Sequence, residues 1–141
     1  MASVVAVIRN NHSQILFVQR SPLASRGSQW ALPGGKIKSH EVPAQAIVRE
    51  VAEETNLAIR PVCELANFGD QSYWLCELTD DRPVCLNQRE CAAYSWSDPQ
   101  RILELGMVMD LKRLRMVLGK LNLDIGDQDG GAAFVRPIVN P

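Results

Sequence analysis

Charge of one sign is what this chain most plainly lacks. The 15 Lys and Arg are nearly matched by 16 Asp and Glu, leaving a net charge of −1. There is thus no general attraction to nucleic acid or to an anionic membrane, so no nucleic-acid polymer is expected as a partner and any polyanionic ligand must be gripped locally. Long apolar runs are missing too. The opening MASVVAVIRN has too short an apolar run and no basic leader for a signal peptide, and nothing later approaches the ~20 apolar residues of a membrane span. The expectation is a cytoplasmic protein with no membrane contact. The 4 cysteines, Cys63, Cys76, Cys85 and Cys91, show no C-x-x-C spacing. That argues against a zinc site and for packed or idle thiols, as suits a reducing compartment. His12 and His40 have no evident partners and read as turn residues.

What remains is ordinary globular composition, 46% apolar and 22% charged in 141 residues. Such a chain fits a single domain over 1–141, large enough to bury about two-thirds of its unfolded surface in one core. The β-branched runs 3–8 and 14–19, separated by Asn10-Asn11-His12, predict two opening strands joined by a hairpin-type turn. SPLASRGS reads as a loop, and WALPGG as a short extended segment ended by Pro33-Gly34-Gly35. From Pro43 the period becomes helical. Ala44, Ile47, Val48, Val51 and Thr55 form an apolar stripe, and the acidic residues of the same segment are expected opposite it. Pro43 suits a first turn and Asn56 a left-handed end, while Val42 lacks the oxygen preferred at an N-cap.

Further strands are expected at 58–65, 71–78 and 92–96, and an amphipathic helix at 107–120 with Met107, Met109 and Met116 as core or interface packing residues. Lys112, Arg113, Arg115 and Lys120 read as its solvated face. The tail from Asp124 is Gly/Asp-rich and reads as mobile or as a packing arm.

REVAEETNL, residues 49–57, crowds Glu50, Glu53 and Glu54 into one helical turn. Like-charge neighbours three and four apart cost only ~0.2–0.5 kcal/mol per pair, so a solvated acidic face would account for them. The wider spacing says more. Gly35 is followed after five residues by Glu41, and after seven more by Arg49-Glu50-Val51-Ala52-Glu53-Glu54-Thr55-Asn56-Leu57. This resembles the signature of the Nudix hydrolases, G-x5-E-x7-R-E-U-x-E-E-x-G-U with U a bulky aliphatic residue. The one departure is Asn56 where the family has Gly, a conservative change because both residues adopt positive φ.

The resemblance implies an α/β fold, an α/β/α sandwich with a central mixed sheet and a catalytic loop–helix. It implies Mg²⁺ or Mn²⁺ held by Glu50, Glu53 and Glu54 with a carbonyl of the Gly34-Gly35 turn, Gly35 in particular. Arg49 would orient a carboxylate, and Glu41 would hold the loop against the helix. Arg20 resembles a position that reaches substrate phosphate, and Glu90 one that binds metal or takes a proton from water. The base would be Glu53, Glu54 or Glu90. Trp30, with Phe68, could stack on a nucleobase, although packing is the commoner fate of single aromatics.

The implied reaction is hydrolysis of a nucleoside diphosphate linked to a further group, a small-molecule nucleotide substrate. A nucleoside triphosphate giving monophosphate and pyrophosphate is the leading reading, in part because residues 87–96 echo a segment of some triphosphate pyrophosphatases of the family. ADP-ribose or another nucleotide sugar is the alternative within the enzyme class. A Nudix ligand-sensing module that does not hydrolyse is the alternative outside it, and an acidic scaffold a third. A homodimer is a family-level expectation.

Overall fold

The computed structural model describes residues 2–126. The expectation for the tail therefore concerns mainly 127–141, which lie outside the described residues. The chain opens with β1 (Ser3–Arg9) and β2 (Ile15–Arg20). The turn between them is closed by Asn10, whose Oδ1 accepts from the backbone N–H of His12 and of Gln14 at 2.9 Å each. Asn competes well for this role because its side chain bonds its own backbone two residues on.

The two strands then splay, pairing only at Arg9–Ile15. β1 is parallel to β6 (Gln71–Leu78) along its whole length, and β2 is antiparallel to β7 (Cys91–Ser97). Their remaining edges diverge, and WALPGGK fills the fork between them. Its first part, β3 (Trp30–Ala31), pairs with β2, and its last, β4 (Gly34–Lys36), pairs with β1. Between the two, the Pro33 carbonyl accepts from the Ala6 N–H at 2.8 Å. The sequence predicts that Pro33-Gly34-Gly35 ends this extended stretch; instead it enters the sheet a second time at Gly34. β5 (Ile59–Asn67) adds outside β6, which completes a mixed sheet.

Alternation along the strands covers both faces. Val4, Ala6, Ile8 and Leu16 meet α1 (Pro43–Thr55) through Ile47 and Val51. Val7, Ile15 and Phe17 meet a 3-10 segment (Pro99–Glu104) and α2 (Leu111–Gly119) through Ile102, Leu114 and Leu118. This is the three-layer α/β/α arrangement expected. A sheet buried on both faces reads as continuous apolar runs, which is why VVAVI and ILFV give no polar alternation.

Several expectations shift. The second helix begins at Leu111 rather than Met107. Residues 107–109 are drawn off to bond β3, where Trp30 N–H donates to the Met107 carbonyl and Met109 N–H to the Trp30 carbonyl, both at 2.8 Å. Asp110 then turns with φ 51° before the helix starts. Met107 and Met116 are exposed, at 69% and 54%, and so are not core residues of this chain. In α1, Val48 is exposed and Ala46 is buried in its place. Not all the acidic residues lie opposite the apolar stripe: Glu53 is exposed, but Glu54, three after Val51 and seven after Ile47, shares their face and is 8% exposed.

Candidate functional site

Gly34 and Gly35 sit where the fork of the sheet meets α1. A Cβ on Gly34 would drive into the carbonyl of Val4, and one on Gly35 into the carboxylate of Glu50. Only glycine lets this turn lie between strand and helix. The Gly34 N–H donates to Glu54 Oε1 at 3.0 Å, pinning the buried carboxylate to the turn.

Arg49 is the hub on the other side. Its Nε donates to Glu41 Oε2 at 2.6 Å and its Nη2 to Glu41 Oε1 at 2.8 Å, a two-pronged pairing that matches guanidinium to carboxylate. Its Nη1 donates to Glu50 Oε1 at 2.9 Å and Glu53 Oε1 at 3.0 Å, and its Nη2 also to the Lys36 carbonyl at 3.0 Å. Glu41 Oε1 accepts in addition from the Lys38 N–H at 2.9 Å. Glu41 thus ties the loop through Arg49 to the helix.

The electrostatics follow from this division. Arg49 beside it, then the Lys38 N–H, hold the Glu41 carboxyl down at about 2. Burial pushes the Glu54 carboxyl up to about 8; the Gly34 N–H opposes that, and the carboxylates of Glu90 and Glu50 add to it. Burial also raises Glu50, against the pull of Arg49. Glu50, Glu54 and Glu90 are therefore close enough to feel one another, while Glu53 stands half exposed beside Arg49.

Among the described residues, no three acidic, His or Cys side chains already converge in a way that could hold a metal ion. Arg49 draws Glu50 and Glu53 to its guanidinium while Gly34 holds Glu54. The donor set nonetheless suits a hard divalent cation. It is all oxygen, and Glu54, raised chiefly by burial, also feels the carboxylates of Glu90 and Glu50.

Two clefts adjoin this corner and share Arg20, Ala31, Leu32 and Gly34. One is walled also by Glu54, Arg89 and Glu90. The other runs past Gly35 to Tyr73, Met109 and Asp110. Arg20, Gly34, Gly35, Glu54 and Glu90, singled out on sequence grounds, thus meet around one surface. Trp30 does not line it: at 7% exposure it belongs to the core, so its face has no room for a stacked base. Phe68 is occupied as well, with Tyr73 edge-on at 5.6 Å and the Arg113 guanidinium 4.9 Å over its ring. Arg89, Tyr73 and Asp110 escaped the sequence reading. They come from separate elements and carry no local pattern.

Comparison with known proteins adds a second, independent line. A family model described as the NUDIX domain matches residues 1–116. A protein of Proteus vulgaris named 8-oxo-dGTP diphosphatase is 36% identical over 93 residues, 56% of this chain and 82% of its own length. One of the same name from Escherichia coli (strain K12) is 40% identical over 53 residues, 38% of this chain and 41% of its own. An RNA pyrophosphohydrolase of Vibrio vulnificus (strain YJ016) is 33% identical over 95 residues, 62% of this chain and 51% of its own. The chain thus spans about half or less of the latter two. Among solved structures, the MutT protein of Methanosarcina mazei Go1 is similar with a TM-score of 0.71 and 26% identity, over 86% of this chain and 93% of that one. An ADP-ribose pyrophosphatase of Streptococcus suis 89-1591, at 18% identity over 89% of this chain and 95% of that one, has a TM-score of 0.69, a likeness of fold alone.

Proposed function

This chain belongs to the Nudix family of hydrolases, which act on phosphoanhydride bonds, and on that premise we propose that it hydrolyses a nucleoside triphosphate to the monophosphate and pyrophosphate. The observation that carries this reading is the shared corner where Gly34, Glu54, Arg20 and Glu90 border one cleft. The relatives named 8-oxo-dGTP diphosphatase favour an oxidised purine nucleotide as the substrate.

Glu50, Glu53 and Glu54, with a carbonyl of the Gly34-Gly35 turn, would hold Mg²⁺ or Mn²⁺. When bound, such a cation supplies charge neutralisation to the pyrophosphate oxygens and acidity to a coordinated water. The chain's own residues do the rest. Arg20 presents a guanidinium to the phosphates, its Nε fixed on the Ser25 carbonyl at 2.7 Å. Gly34 borders both clefts and Gly35 one of them, so this turn offers its backbone to the phosphates. Glu54 and Glu53 are already engaged by Gly34 and Arg49. Glu90 lines the same cleft with no hydrogen bond to its carboxylate among the described residues, and is the best placed to accept the proton of the attacking water. Arg49 and Glu41 keep the turn and the helix in register.

The test is a panel of unmodified and oxidised nucleoside triphosphates, ADP-ribose, nucleotide sugars, dinucleoside polyphosphates and 5′-triphosphorylated RNA, with products identified. The RNA arm is included because of the pyrophosphohydrolase relatives. Monophosphate and pyrophosphate should be released, EDTA should abolish the reaction, and Glu53→Gln or Glu54→Gln should each lower kcat/KM at least ~100-fold. Robust turnover in those variants would reject the site assignment. ADP-ribose or a nucleotide sugar as the sole good substrate would move the reading to the sugar pyrophosphatases, and tight binding without turnover to a sensing module.

A further inference from the structure

The ladder between β2 and β7 slips at one point: Gln19 pairs with Ala93 but Arg20 with Cys91, leaving Ala92 unmatched. Such a bulge twists the strand and re-aims the side chains beside it. Just beyond, Ser21 N–H donates to the Glu90 carbonyl at 2.8 Å, so the two strand ends stay joined. Arg20 comes to the cleft from the end of β2, and Arg89 with Glu90 from the turn that leads into β7.

The turn that carries Arg89 is well braced. Its backbone N–H donates to Asn87 Oδ1 at 3.1 Å, and the Asn87 carbonyl accepts from Glu90 N–H at 3.0 Å and Cys91 N–H at 2.9 Å. Asn87 N–H in turn donates to the Glu54 carbonyl at 2.9 Å, fastening the turn to the end of α1. The guanidinium itself is uncommitted. Arg26, Arg49, Arg82 and Arg101 each hold a carboxylate. Arg89 forms no ion pair or side-chain hydrogen bond among the described residues, although Glu54 and Glu90 border the same cleft.

Two arginines on a braced frame, one of them unpaired and the other engaged only through Nε, border one cleft and offer an anion two guanidinium groups. We propose that Arg89 and Arg20 together clamp the terminal phosphate of the substrate, so that the cleft selects phosphate chains with a free end over chains capped by a neutral group. This rests on the hydrolase reading above and narrows it. A terminal phosphate carries a second negative charge and offers its oxygens in pairs that fit a guanidinium fork, whereas a phosphate inside a capped diphosphate carries one charge. Arg89 is here a positioning and selecting residue, not a participant in bond cleavage.

The test uses the full chain in two arms. In the first, inorganic tripolyphosphate is titrated calorimetrically in the presence of Mg²⁺, and Arg89→Gln should weaken its binding about 10-fold, with Arg89→Lys recovering part of the loss. Arg82→Gln, a change on the same loop at a guanidinium already taken by Asp80, should leave the affinity where it was. In the second, the kcat/KM of a nucleoside triphosphate is divided by that of the matching nucleoside diphosphate sugar, and this ratio should fall about 10-fold in Arg89→Gln. The clamp is overturned if Arg89→Gln binds tripolyphosphate within about 2-fold of the parent, if Arg82→Gln weakens it equally, or if both substrates lose rate in proportion. Should the parent cleave neither substrate, the hydrolase reading fails on its own, and the tripolyphosphate titration still decides the clamp.

Discussion

Arg49 makes five hydrogen bonds at once, to Glu41 twice, to Glu50, to Glu53 and to the Lys36 carbonyl. Lysine has the charge but not the planar fork, so Arg49→Lys should keep the protein folded while releasing Glu50 and Glu53 from a common support. The expected outcome is a kcat lower by roughly 10- to 100-fold with KM little changed, read by steady-state kinetics on the best substrate. Glu54 makes a different prediction. Its carboxyl titrates at about 8 in the folded chain against an ordinary value of 4.5. The protonated form therefore favours the fold fully below 4.5, and that contribution fades as pH rises toward 8. Glu41, held at about 2, acts in the opposite sense, stabilising above 4.5 and losing its effect as pH falls toward 2. In EDTA, urea denaturation should thus show stability declining from about pH 5 to pH 8, and Glu54→Gln should flatten that slope. An unchanged slope in the variant would assign the effect to another group.

At the scale of elements, α1 begins on an imperfect cap. Val42 has no side-chain acceptor, yet its own N–H donates to Gln45 Oε1 at 3.1 Å, so one half of a capping box is present. Val42 is 56% exposed and little packing is lost by replacing it. Val42→Ser should supply the missing half and raise stability by on the order of 1 kcal/mol, measured as a higher urea midpoint with the same slope. At the other end Asn56 takes φ 68° and its N–H reaches the Ala52 carbonyl at 3.0 Å, the left-handed stop foreseen when it replaced the family's Gly. The 3-10 segment was not foreseen, although Asp98-Pro99 opens it as an N-cap followed by a first-turn proline. It is a short turn capped by Asp98, whose Oδ1 accepts from the Gln100 N–H at 3.0 Å, and its register depends on Ile102 reaching the core.

Over the whole molecule, one sheet joins two apolar clusters, and Phe17 is the largest side chain fully buried in it. Phe17 lies on the α2 side of the sheet. Phe17→Ala should cost about 3–5 kcal/mol by denaturant titration, through lost transfer energy and the cavity left behind. Among the described residues, no helix is long and apolar enough to cross a membrane.

Spacing along the chain by itself determined the family signature from Gly35 to Leu57, the strand runs at 3–8 and 14–19, and both ends of α1. Those are local properties: periodicity, turn chemistry and fixed offsets survive in one dimension. The burial of Glu54 was also written in the helical period, but its charge argued for solvent, and only the closing of the Gly34 turn against α1 decided the matter. The diversion of Met107–Met109 to Trp30, and the arrival of Arg89 beside Arg20, needed the tertiary structure outright. Each depends on backbone hydrogen bonds between segments far apart in the chain, and no local propensity encodes which distant edge will be free to pair.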